Sequence, residues 1–197
     1  AITFAANGTG DVTLVNNTAT NLAASSFGGN LRVSSAGAIT DSGNLAVTGS
    51  ASFTTTAGNA SITLDQTGNT LTGAITFAAN GTGDVTLVNN TATNLAASSF
   101  GGNLRVSSAG AITDSGNLAV TGSASFTTTA GNASITLDNT SGYTGAVSLT
   151  TNGTGNATLT GVTTALNLGA STVGGNLVVS AAGAITDSGN LAVTGSA

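Results

Sequence analysis

Residues Ala1–Asp65 recur without a single change as Ala74–Asp138, an offset of 74 − 1 = 73 positions. A chain that repeats itself at this length buries its apolar side chains against neighbouring copies, so it reads as an array or a solenoid. A third copy, with substitutions, starts at Ala146, one residue early, and regains the offset by Gly174–Asn176. Its stretch Gly183–Ala197 is the same as Gly37–Ala51 and Gly110–Ala124. The units are 1–73, 74–145 and 146–197, or 197/73, about 2.7 copies.

Inside each copy, short apolar segments alternate with polar residues and are rich in Val, Ile and Thr, the pattern of half-buried strands. Glycine pairs such as Gly10-Asp11, Gly29-Asn30 and Gly43-Asn44 separate them and supply turns. No helical period is present. One copy parses into nine strands: 1–6, 11–16, 21–26, 30–36, 37–43, 44–50, 51–57, 60–65 and 69–73. Taken three at a time they make coils over 1–28, 29–50 and 51–73. Each face of such a coil receives an apolar column. The first is Ile2/Phe4, Leu31/Val33, Ala51/Phe53; the second Val12/Leu14, Ile39, Ile62/Leu64; the third Leu22/Ala24, Leu45/Val47, Leu71. The expected fold is all-β: a right-handed parallel β-helix, a β-solenoid with three strands per coil and about eight coils. At ~4.8 Å per coil this is a rod of about 38 Å. Phe53 and Phe77 would stack in adjacent coils. A string of antiparallel domains is the rival, and 73 residues make a cramped sandwich for nine strands.

The chain lacks His, Cys, Lys and Glu; its ionisable side chains are seven Asp, two Arg and one Tyr. No ordinary general base near neutral pH is available, and nothing can activate a serine in a triad. Zinc and iron–sulfur sites lack their usual ligands. The expectation is a non-enzyme without cofactor, and no residue is nominated as catalytic, cofactor-binding or metal-ligating. A net charge of −5 with Arg32 and Arg105 as the cations argues against nucleic acid and anionic membrane surfaces. No apolar run is long enough to insert in a bilayer as a helix.

The segments Gly29–Ser42 (GNLRVSSAGAITDS), Asn44–Ala57 (NLAVTGSASFTTTA) and Gly174–Gly189 (GGNLVVSAAGAITDSG) resemble filamentous-haemagglutinin-type exoproteins, large bacterial adhesins secreted by the two-partner route. The resemblance implies a long right-handed β-helical shaft at the bacterial cell surface, outside the cell. Nothing here matches that family's amino-terminal secretion domain.

Several residues invite a sharper reading. Asp41, Asp65, Asp114, Asp138 and Asp187 close strands, and Gly8–Leu14 (GTGDVTL) is similar to a calcium-binding nonapeptide. With one Asp per such segment, they are expected to be turn residues that accept backbone N–H bonds. Thr13, Thr40, Thr63, Thr86, Thr113, Thr136, Thr158 and Thr186 are expected to form one outward ladder through eight coils. Paired threonines of an ice-binding face are absent. Sequons stand at Asn7, Asn16, Asn59, Asn80, Asn89, Asn132, Asn139, Asn152 and Asn156. Arg32 and Arg105 share one outward position, replaced by Val178 in the third copy. Tyr143 takes the place of Leu71 and should reach solvent with its hydroxyl.

The leading expectation is a structural shaft segment of a secreted surface filament, extending a tip or building cell–cell or matrix contacts. Both ends would expose sheet edges, so head-to-tail self-association or contact with neighbouring repeats follows. The alternatives are direct binding of host or cell-surface glycans or receptors along a Thr/Ser/Asn face, and an ice-binding solenoid.

Overall fold

The computed structural model describes residues 1–6 and 8–197. Among these, no residue is helical, and every strand pairing is parallel. The chain is a parallel β-solenoid of about nine coils.

Each full copy contributes ten strands. In the first these are β1 (Ala5–Ala6), β2 (Val12–Asn16), β3 (Thr20–Leu22), β4 (Ser25–Phe27), β5 (Leu31–Ser35), β6 (Ile39–Asp41), β7 (Leu45–Val47), β8 (Ala51–Thr55), β9 (Ile62–Leu64) and β10 (Thr70–Leu71). The second gives β11 (Ala74–Ala79), β12 (Val85–Asn89), β13 (Thr93–Leu95), β14 (Ser98–Phe100), β15 (Leu104–Ser108), β16 (Ile112–Asp114), β17 (Leu118–Val120), β18 (Ala124–Thr128), β19 (Ile135–Leu137) and β20 (Gly142–Tyr143). The third gives β21 (Val147–Thr150), β22 (Ala157–Val162), β23 (Leu166–Leu168), β24 (Ser171–Val173), β25 (Leu177–Ala181), β26 (Ile185–Asp187) and β27 (Leu191–Val193).

The strands come in threes: one straight strand, then two short ones separated by a bend. β2, β3 and β4 form such a set, as do β5–β7 and β8–β10. Three faces per coil result, as the sequence pattern requires. One segment departs from that pattern. Residues 21–26 hold the ends of two strands, β3 and β4, split at Ala23-Ala24. The nine-strand parse is therefore one strand short. The tenth strand in each copy, β1, β11 or β21, is a straight strand outside the sets of three.

That extra strand changes the phase. Asn21 pairs with Thr40, Thr40 with Thr63, Thr63 with Thr86, and Thr86 with Arg105, four successive coils up one side. Asn94, the copy of Asn21, falls midway through the fourth step and pairs with Thr113 on the other side. One copy therefore spans three and a half coils, not three, and successive copies face opposite ways. The columns of the first coil shift accordingly. Ile2 pairs with Leu22 rather than Leu31, and Val12 and Leu14 sit on Leu31 and Val33 rather than on the Ile39 face. From Leu31 onward the expected columns hold: Leu31 meets Ala51, Val33 meets Phe53, Ile39 meets Ile62 and Val47 meets Leu71.

The core is a single continuous stack of these inward side chains. Phe53 and Phe77 are in register and stacked, with ring centroids 5.8 Å apart at 22°. Phe77 continues to Phe100 at 6.2 Å. Such aromatic neighbours add to the transfer of apolar area out of water.

Where a straight strand lies against a bent one, their backbone groups fall out of step. Serine closes the gap on one side. The hydroxyls of Ser25, Ser98 and Ser171 accept the N–H of Phe4 (2.9 Å), Phe77 (3.0 Å) and Leu149 (3.0 Å). Each donates to a carbonyl two residues back, on Ala23, Ala96 or Gly169. On the other side, buried Asn89 accepts the N–H of Leu71 at 2.9 Å and donates to its carbonyl at 3.0 Å, so one amide side chain stands in for a strand. In the third copy Val162 takes the register of Asn89, pairing with Ala181 as Asn89 pairs with Ser108. There the strand bulges between Leu159 and Val162, Gly161 takes φ +69°, and its carbonyl accepts the N–H of Ser141. This bulge holds the inserted residue that restores the sequence offset to 73.

Corners pack backbone on backbone. A Cβ on Gly101 would collide with the carbonyl oxygen of Gly81, which itself turns at φ +66°. Gly174 meets Gly153 in the same way. A Cβ on Gly131 would enter open space. We expect Gly101→Ala to cost about 1–3 kcal/mol and Gly131→Ala to stay within ~0.5 kcal/mol, read as denaturant midpoints at constant m-value.

Candidate functional site

The chemistry available to this chain lies in its outward columns and corner residues. The expected single threonine ladder is two ladders on opposite sides. Thr40, Thr63 and Thr86 stack on one side, and Thr113, Thr136 and Thr158 on the other. Arg105 follows the first and Val178 the second, while Thr13 pairs with Arg32 and Thr186 with Asn167. The half-coil phase breaks the ladder, because equivalent residues of consecutive copies never share a column.

Arg32 and Arg105 project outward and are exposed, as the alternation requires. Arg32 lies between Thr13 and Ser52 in its column. Beside it runs a corner column in which Asp11 accepts the N–H of Asn30 at 2.9 Å, and Asn30 accepts that of Ser50 at 2.8 Å. Asn30 holds the Asp11 carboxyl below its ordinary pKa, first through its backbone N–H and then through its side chain. Together the two columns outline a groove of about 270 Å³ holding one guanidinium, one carboxylate and several hydroxyls. The second copy repeats the pattern on the opposite side, with Asp84 accepting from Asn103 at 2.7 Å and Arg105 in the adjoining column. In the third copy both charges are gone, to Asn156 and Val178.

Of the five strand-closing aspartates, Asp41 and Asp114 accept backbone N–H groups, whereas among the described residues none is donated to Asp65, Asp138 or Asp187, which are simple strand ends. Asp41 is 7% exposed and accepts the N–H of Asp65 at 3.0 Å and the side-chain amide of Asn69 at 2.6 Å. Asn69 also accepts the N–H of Leu45 at 2.7 Å. In the second copy Ser141 stands at that position and accepts the N–H of Leu118 at 2.9 Å, while Asn139 meets Asp114 instead. Burial outweighs these bonds at Asp41 and pushes its carboxyl above the ordinary value. Among the described residues, no three carboxylates converge on a point that could hold a metal ion.

Two residues lie deeper in the stack than their sequence positions suggest. Tyr143 does not reach solvent: it is 1% exposed, and its hydroxyl has no partner. Burial pushes that hydroxyl's pKa up, first by desolvation and then through Asp114. The sequon at Asn89 lies inside the stack at 1% exposure, bonded to Leu71, Ala92 and Thr93. Asn59, Asn80, Asn132, Asn152 and Asn156 are exposed. Asn7 lies outside the described residues. Asn89 and the three serines at the bends escaped sequence reasoning. A buried strand adaptor has the same composition as a turn, and only its spacing of 73 from Asn16 marked it.

A family model described as repeats of unknown function (DUF5649) matches residues 9–78, 82–150 and 154–197. The chain belongs to this family. Its matches start 82 − 9 = 73 and 154 − 82 = 72 residues apart, the same phase as the copies. No curated protein and no solved structure matches the chain. Each full DUF5649 repeat period thus spans three and a half coils, and consecutive units turn equivalent faces to opposite sides.

Asp41 of the first DUF5649 unit sets a pH dependence. Its folded pKa lies above the unfolded value of 3.8, so the native state holds the proton more tightly. Its contribution to stability is present below that value and is lost as pH rises through the folded pKa. We expect the unfolding midpoint of the wild type, relative to Asp41→Asn, to rise as pH falls from 7 towards 4, in paired thermal melts.

Proposed function

We propose that this chain is a stretch of an extracellular structural shaft on a bacterial surface, holding a tip away from the cell or joining filaments to one another. One observation carries the reading: each coil fills its inner face from its neighbours, so length is added by duplication alone. The likeness of Gly29–Ala57 and Gly174–Gly189 to filamentous-haemagglutinin-type repeats supplies the setting. An inventory of Ser, Thr, Asn and a few Asp suits a wet, weakly charged rod better than a reaction centre. Proteins with two, four and six units should lengthen by ~17 Å per unit, at ~4.8 Å per coil, in electron micrographs. Immunogold on intact source cells should decorate the outside. Beads of constant width, or label confined to the cell interior, would overturn the proposal.

The groove beside Arg32 favours a second reading, direct binding of an acidic glycan. A screen in which carboxylated glycans bind the wild type but bind Arg32→Ser/Arg105→Ser at least about tenfold more weakly would support it.

A further inference from the structure

Both arginines of the chain stand in the same setting. Each follows a corner aspartate by the same interval, Arg32 after Asp11 (32 − 11 = 21) and Arg105 after Asp84 (105 − 84 = 21). Each lies one coil on from that aspartate, in register with the threonine two places after it: Arg32 pairs with Thr13 and Arg105 with Thr86. All four charged side chains are exposed. Asp84 and Arg105 have further coils on both sides, β9 before and β18 after, so they belong to the flank of the solenoid. The straight strands β12, β15, β18 and β21 run there in register without a bulge, and around Arg105 they turn out the short side chains of Thr86, Ser107, Ser125, Thr127 and Ser148. The flank is flat, and one pair of opposite charges stands on it.

The fold does not need these charges. In the third copy Asn156 stands for the aspartate and still accepts the N–H of Asn176 at 2.8 Å, while Val178 stands for the arginine in register with Thr158. An amide makes the corner bond as well as a carboxylate, and a valine fills the column as well as an arginine. The two charges are lost together, and where present they are free to meet something outside the chain.

We propose that the pair joins shafts side by side: Arg105 of one copy of the chain meets Asp84 of a second copy, and Asp84 of the first meets Arg105 of the second. The inference rests on the shaft reading and names the contact by which such shafts bundle. A face with one positive and one negative group is its own complement about a two-fold axis lying in the plane of contact. A purely anionic ligand would be attracted by the guanidinium and repelled by the carboxylate beside it, whereas a second copy uses both. With a net charge of −5, two flanks repel each other except where an arginine is presented. Arg32 lies in the sheet on one side and Arg105 in the sheet on the other, so one shaft can hold a neighbour on each side. A single exposed ion pair is weak, and each further unit that carries the charges adds to the contact.

Two variants probe the two halves of the pair without touching the core. Arg32→Ser/Arg105→Ser removes the cations. Asp11→Asn/Asp84→Asn removes the anions and keeps the corner acceptor, as Asn156 does in the third copy. Each should weaken self-association at least about threefold in sedimentation equilibrium, with the β-sheet circular dichroism unchanged. Thr86 adjoins both charges and so falls near the two-fold axis, opposite its own counterpart. The chain has no cysteine. Thr86→Cys, oxidised in dilute solution, should therefore give a disulfide-linked dimer, while Thr136→Cys, equally half-buried in a bent-strand column with no arginine beside it, should stay monomeric. Removal of the aspartates that tightens binding of a carboxylated glycan and leaves self-association unchanged would make the pair a ligand site and overturn the proposal. A native chain that stays monomeric at all concentrations yet keeps its β-sheet spectrum removes the lateral contact and leaves the shaft reading standing. A native chain without that spectrum removes both.

Discussion

In this solenoid the stabilising backbone hydrogen bonds run between coils, and every strand must meet a neighbour of compatible shape. That constraint governs most of what the sequence conserves between its copies. Straight on straight and bent on bent are satisfied by alternation alone. Straight on bent leaves donors and acceptors stranded, and an unmade buried hydrogen bond costs about 1–3 kcal/mol. Ser25, Ser98 and Ser171 meet the cost on one side, each with an accepted and a donated bond. Asn89 meets it on the other, and the third copy finds a different answer in the bulge at Gly161.

The inward alternation was legible at once, because Leu31/Val33, Ala51/Phe53 and Val47/Leu71 carry an apolar column that only stacking explains. The bend at Ala23-Ala24 was not. Two three-residue strands flanking two small residues read as one continuous run, so one strand went uncounted and the coils numbered about eight instead of about nine. The error propagated into the outward columns. Thr13 and Thr186 left the ladder, and the remaining threonines divided between two sides. Tyr143 shows a different limit. Nothing local says whether a phenol replacing a leucine swings outward or stays in the column, and here it stays in, in register with Val120.

The outer surface carries little that discriminates one ligand from another, apart from the groove around Arg32 and the matching Asp84 and Arg105 columns of the second copy. Their loss as a pair of charges in the third copy, Asn156 for Asp84 and Val178 for Arg105, leaves the corner ladder intact, since Asn176 still donates to Asn156 at 2.8 Å. Structure and surface chemistry are thus separable: the corner needs an acceptor, and either an amide or a carboxylate serves.

The half-coil remainder in each copy also bears on how identical neighbours coexist in one chain. Identical adjacent units ordinarily invite slippage, in which a strand pairs with the wrong twin. Here the twin of every strand sits half a revolution away, so a slip by one unit would present the strand from the wrong side. Parity follows as well: an even number of added units returns a domain at the far end to its original azimuth, and an odd number turns it about to face the other way.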